Sequence, residues 1–104
     1  MGRPTLGLAV VRGESMQPTL RPGDRLLLRY GGRPRRGALI VVRLPARPAA
    51  VKRVNSRVAG GWDVRSDNPA VGTDSRVLGA IPDDDVVATV VCRVWPPIRR
   101  RHRQ

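Results

Sequence analysis

Phenylalanine is absent from this chain, and the aromatic complement is one tyrosine, Tyr30, and two tryptophans, Trp62 and Trp95. Single-strand nucleic-acid binders interleave stacking aromatics with their cations, and three aromatics cannot interleave with the chain's many arginines. There is a single cysteine, Cys92, so no disulfide can close within the chain. It lies in the apolar run VVATVVCRV and reads as a small core or edge-strand residue. Lack of a disulfide fits a reducing, cytoplasmic setting. The one histidine, His102, sits in RRRHR, where nothing would fix an imidazole. A Ser-His-Asp triad and a cysteine protease are therefore disfavoured. With no Cys/His cluster, neither metal nor cofactor is expected. No segment approaches the ~20 apolar residues of a membrane span; LGLAVV and VVATVV have six each. The opening MGRPTLGLAVVRG lacks the long apolar region and small-residue cleavage site of a signal peptide.

Lysine is almost as scarce. Net charge is +12, from 20 basic and 8 acidic residues, and every basic residue but Lys52 is arginine. Guanidinium cannot give up its proton in a protein, whereas a buried lysine can. The position that escaped this bias therefore draws notice, although one exception among twenty could arise by chance.

The 104 residues suffice for one domain with a modest core. That domain is assigned to residues 1–98, and 99–104 to a basic, frayed tail after a Pro-Pro stop. Turn signals recur at short intervals: RGES, RPGD, YGGRPRRG, LPARP, AGG, SDNPAVG, IPDDD and WPP. The short Val/Leu/Ile-rich pieces between them read as strands, near Leu6–Arg12, Arg25–Arg29, Ala38–Arg43, Ala49–Arg57, Trp62–Arg65 and Val86–Val94. Leu78–Ile81 is a candidate for a further short one. No run carries a helical apolar stripe. The expected fold is mainly β, a coiled, partly open barrel. The DDD run at 83–85 reads as a solvated turn, and Arg33, Arg35 and Arg36 as solvated surface. In the strand around Lys52, alternation puts Ala50, Lys52, Val54 and Ser56 on one face and Val51, Arg53 and Asn55 on the other. An ammonium between a small and a branched apolar residue would be desolvated, which lowers a lysine pKa.

A serine needs a base before it can act as a nucleophile, and in RGESMQPTL a glycine and a proline bend the chain around Ser15. With histidine excluded, a lysine base remains. Lysine ordinarily titrates near pH 10.4, so populating the neutral amine near neutrality needs about 4 kcal/mol of bias against its charged form. Burial supplies shifts of that size, and the neighbouring Arg53 would push the same way. Ser-Lys pairs are a known variant of the triad.

RGESMQPTLRPGD, then AVKRV, then SDNPAVGTDSRVLGAIP resemble the type I signal peptidase superfamily in order and spacing, from about residue 8 to residue 93. Within it the short chain looks most like the nickel-type superoxide dismutase maturation proteases, which are implied to remove an N-terminal propeptide. The resemblance implies Ser15 as nucleophile, Lys52 as general base and the Ser15 N–H as oxyanion donor, with Gly13 where some relatives carry a second, hydroxyl donor. It implies that Met16 shapes the substrate pocket beside Pro18, and that Asp74 and Arg76 form a structural ion pair. Asp67 and Asn68 fall in a turn, where an Asx turn is expected. There are two departures. Ser66 stands where the superfamily has glycine. Gly72 stands where a lysine-orienting serine often sits, with Thr73 beside it, so the hydroxyl that orients Lys52 is left open.

Two peptidase rivals remain. The self-cleaving domain of SOS-type repressors also has a Ser-Lys pair, and the spacing of Ser15 and Lys52 suits it. It cuts a bond upstream of its serine, and the fourteen residues before Ser15 contain no Ala-Gly or Cys-Gly bond, so cleavage of another chain fits better. A signal peptidase acting at the membrane surface is the second. A third rival, of another class, is a basic module binding nucleic acid or anionic membrane, for which the net charge is the argument. The leading expectation is a precursor protein held through an extended segment, with the nickel superoxide dismutase precursor as candidate.

Overall fold

Short aliphatic segments separated by glycine and proline cannot bury themselves one by one, and here they pair into a single antiparallel sheet. The computed structural model describes residues 5–71 and 75–97. Its strands are β1 (Thr5–Val10), β2 (Arg25–Tyr30), β3 (Leu39–Leu44), β4 (Arg47–Val58), β5 (Gly61–Arg65) and β6 (Val86–Trp95), in the spatial order β1-β2-β6-β3-β4-β5. Each strand expected from the sequence forms, with ends moved by one or two residues. Only Leu78–Ile81 differs. Ser75–Leu78 is one helical turn, and Ile81 makes a lone bridge to Trp62. That bridge is narrow. Trp62 and Ile81 exchange backbone hydrogen bonds of 2.9 and 2.8 Å, and a Cβ on Gly61 would lie 2.0 Å from the Ile81 carbonyl oxygen. Only glycine admits that approach. Residues 83–85 form a 3-10 turn rather than a wholly solvated one. Asp83 there accepts hydrogen bonds from Arg57 and from Trp62 Nε1, and the Arg57 guanidinium stacks over the Trp62 ring.

The core is built on both faces of β3. Val41 packs with Leu26, Leu28 and Ala88 beneath Val11, Met16 and Leu20. Ile40 and Val42, pointing the other way, pack with Leu44, Val54, Val64 and Ile81. A run buried on both faces loses the usual apolar–polar alternation, which is why LIVV reads as continuous. The sheet is open, with β1 and β5 at its edges. Cys92 is exposed, so it is not a core residue. Its stretch of β6 extends past the part that pairs with β3 and meets only β2.

Ile40→Ala should cost about 2–5 kcal/mol, the range for deleting a large buried aliphatic side chain. Leu8→Ala on the exposed side of β1 should cost under about 0.5 kcal/mol. Chemical denaturation of the two variants gives the comparison.

Candidate active site

The Ser15 turn follows β1 directly, and backbone bonds seal its neck: Val11 donates to the Asp24 carbonyl and Gly23 to Val11, both at 2.8 Å. Gly13 takes φ +75°, the left-handed region that glycine enters at low cost. Met16 and Leu20 anchor the turn in the core, and the Leu20 N–H closes back on the Met16 carbonyl at 2.9 Å. Ser15, just before these anchors, is half-buried, while Pro18, between them, is exposed.

A second loop, after β5, holds the turn from the far side. Asn68 donates its backbone N–H to the Ser15 carbonyl at 2.8 Å and its side-chain amide to the Glu14 carbonyl at 3.1 Å. Its side-chain oxygen accepts from Ala70 N–H, the expected Asx turn. Asp67 does something different. Its carboxylate takes a two-pronged bond from Arg53 on β4, at 2.8 and 2.7 Å, and a further one from the Thr19 hydroxyl. Its backbone N–H meets the Met16 sulfur at 3.4 Å. Chiefly through the Arg53 bonds, and also through Thr19, the Asp67 carboxyl is held below the ordinary carboxylate range against the opposing effect of burial. The guanidinium of Arg53 is therefore engaged on the opposite side of β4 from Lys52, with Gly37 accepting its remaining arm. It is not the bare positive neighbour the sequence suggested.

Lys52 is 2 % exposed. Its cross-strand partner is Ile40, and its neighbours on the same face are Ala50 and the buried Val54. The ammonium donates to Ser66 Oγ at 2.9 Å. In the sequence Ser66 stands out only as a departure from the superfamily pattern that the chain resembles, and the pairing of β4 with β5 is what brings it to the lysine. Thr73 and Asp74 lie outside the described residues. Arg76 is exposed on the single helical turn.

Ser15 and Lys52 line one cavity of about 560 Å³, together with Gly13, Met16, Val41 and Ala49. The cavity follows the first half of β4. Arg47–Lys52 pairs with β3 on one side, while β5 covers β4 only from Arg53 onward. That leaves a length of open strand beside the serine. Among the described residues, no group of His, Cys, Asp or Glu is arranged to hold a metal.

A peptidase family model, Peptidase S24-like, matches residues 2–91. The chain belongs to that family. No curated protein gives a significant match. Membership makes this a serine-peptidase type of domain and accords with the open antiparallel β fold; it does not single out the nickel superoxide dismutase maturation branch. Among the described residues, no helix is long and apolar enough to cross a membrane.

The Asp67 clamp gives a pH prediction. A carboxyl held low in the fold contributes stability above its unfolded pKa, near 3.9, and loses that contribution as pH falls through the lower folded value. Acid unfolding of the wild type should carry this component, and Asp67→Asn should lack it. At neutral pH the same substitution should cost about 1–3 kcal/mol, because Arg53 loses its partner. Denaturation midpoints measured from neutral to strongly acidic pH check both points.

Proposed function

We propose that this chain is a serine endopeptidase in which Ser15 attacks the peptide carbonyl and Lys52 is the general base. The observation that carries the reading is a buried lysine and a turn-borne serine lining the same cavity, in a chain of a peptidase family.

A buried lysine works as a base only in its neutral form, and burial disfavours the charged one. A neutral amine keeps two N–H donors and one lone pair. One N–H can stay on Ser66 while the lone pair accepts the proton from Ser15 Oγ. As Oγ bonds to the carbonyl carbon, that proton passes to Nζ. The tetrahedral oxyanion is met by the Ser15 N–H. Collapse expels the amine half of the substrate, which takes the proton from Nζ, and an acyl-enzyme remains. The neutral lysine then draws a proton from water for deacylation. Ser66 is thus the positioning hydroxyl for Lys52 in this scheme.

The open side of Arg47–Lys52 supports a substrate bound as an extended strand, its backbone groups meeting those of β4. A disordered propeptide suits such a site, and the sequence resemblance makes the nickel superoxide dismutase precursor the candidate to test.

Purified chain should cut a peptide spanning that precursor's propeptide junction, at a rate that rises with pH. Ser15→Ala and Lys52→Arg should each lower turnover by at least about a thousandfold, as loss of a nucleophile or base does, with folded spectra retained. Ser66→Ala should leave a residual rate and alter the pH profile. Mass spectrometry of the products is the readout. Equal cutting by Ser15→Ala would end the serine mechanism. Cutting of other extended peptides but not of this precursor would keep the peptidase and discard the substrate.

A further inference from the structure

Among the described residues, six of the nine large apolar side chains that remain exposed belong to β1 and the far end of β6. The pairing register gathers them. Across β1, β2 and β6, Leu8 lies opposite Leu27 and Leu27 opposite Cys92; Val10 lies opposite Arg25 and Arg25 opposite Trp95. Directly opposed residues of an antiparallel pair share a face. Leu6, Leu8 and Val10 are therefore on one side with Leu27 and Trp95, away from the core under Met16. Leu8 is 69 % exposed and Trp95 57 %. Val91 adds to the patch at a register shift in β6, where it is 53 % exposed. An apolar sheet face that also reaches an open edge strand is an aggregation hazard when it stays bare.

The charges within the patch narrow down what covers it. Arg25 and Arg29 occupy β2 at either side of Leu27, opposite Val10 and Leu6. A second copy laid on this face would bring like charges together at its centre, between chains of net charge +12. Nucleic acid would satisfy the arginines and leave the aliphatic groups wet. A surface that takes apolar side chains and guanidinium groups together, with a tryptophan at the margin, is the headgroup region of an anionic bilayer. There, aliphatic groups enter the acyl boundary, arginine stems run out to the phosphates, and indole sits at the interface.

We infer that the outer face of β1-β2-β6 is a docking surface for an anionic phospholipid leaflet, on which the domain lies without crossing. The patch lies on the sheet face opposite the Met16 core, and of its residues Val10 alone also borders the cavity lined by Ser15 and Lys52.

The test is partition onto vesicles of phosphatidylcholine alone and of phosphatidylcholine with about one-third phosphatidylglycerol. The full chain should sediment with the anionic vesicles at least about tenfold more strongly, and less so as salt rises. Emission should shift to the blue, and the shift should vanish in Trp95→Tyr while Trp62 is unchanged. Leu6→Thr with Leu8→Thr keeps β preference and removes apolar area; it should weaken binding about tenfold or more, with spectra and Ser15-dependent cutting intact. Arg25→Glu with Arg29→Glu should weaken it comparably and flatten the salt dependence. Three results would each overturn the inference: no binding, anionic binding untouched by the threonine pair, or a dimer in sedimentation analysis that the threonine pair dissolves.

Discussion

The carboxylate of Asp67 is the point at which three separate pieces of chain are made to agree. It receives two prongs of Arg53 from β4 and the hydroxyl of Thr19 from the serine turn, while its own backbone reaches the Met16 sulfur. Without it, the serine turn would lose its side-chain tie, through Arg53, to the strand that carries Lys52. A bidentate guanidinium–carboxylate pair sets direction as well as distance. Here that direction decides where the Ser15 turn sits over β4. The next residue, Asn68, finishes the alignment by bonding to the Ser15 and Glu14 carbonyls. Polar contacts thus position the turn, and Met16 and Leu20 supply the burial that keeps it down.

The two faces of β4 divide the labour. Lys52 lies beside Ile40 and Val54 in an apolar wall, while Arg53 faces Asp67 and the loop carbonyl of Gly37. Adjacent cations thereby meet opposite environments, and the guanidinium, which cannot shed its charge, is given a counterion. A lysine so placed can serve as a base in a family of peptidases, and the same burial makes it costly as mere structure.

Much of this was legible in the residues. Glycine and proline punctuation set the strands, because turns at short spacing leave room for little else. Alternation placed Lys52 between Ala50 and Val54, and RGESMQPTL marked the serine turn. Ser66 and the true role of Asp67 were not legible. Both depend on β4 pairing with β5 and on the following loop crossing to the serine turn, and partners so distant in sequence leave no local pattern. For Cys92 the sequence left core and edge open for a related reason: its run is apolar throughout, so composition could not tell which part of β6 leaves the core. The helical turn at Ser75–Leu78 is too short for any periodicity to announce.

The hairpin between β3 and β4 carries an irregularity between Val42 and Leu44 that sets how the two strands align. Because side chains alternate, sliding β4 by one residue would exchange the surroundings of its neighbouring cations. Arg53 would enter the apolar wall with a charge it cannot lose, and Lys52 would turn toward the Asp67 carboxylate and stay protonated there. The composition and the strand would be unchanged, yet the cavity would no longer be lined by the lysine. A deletion in the Pro45–Ala46 turn, distant from the serine in sequence, would therefore undo the proposed Ser15–Lys52 pair as directly as removing the hydroxyl itself.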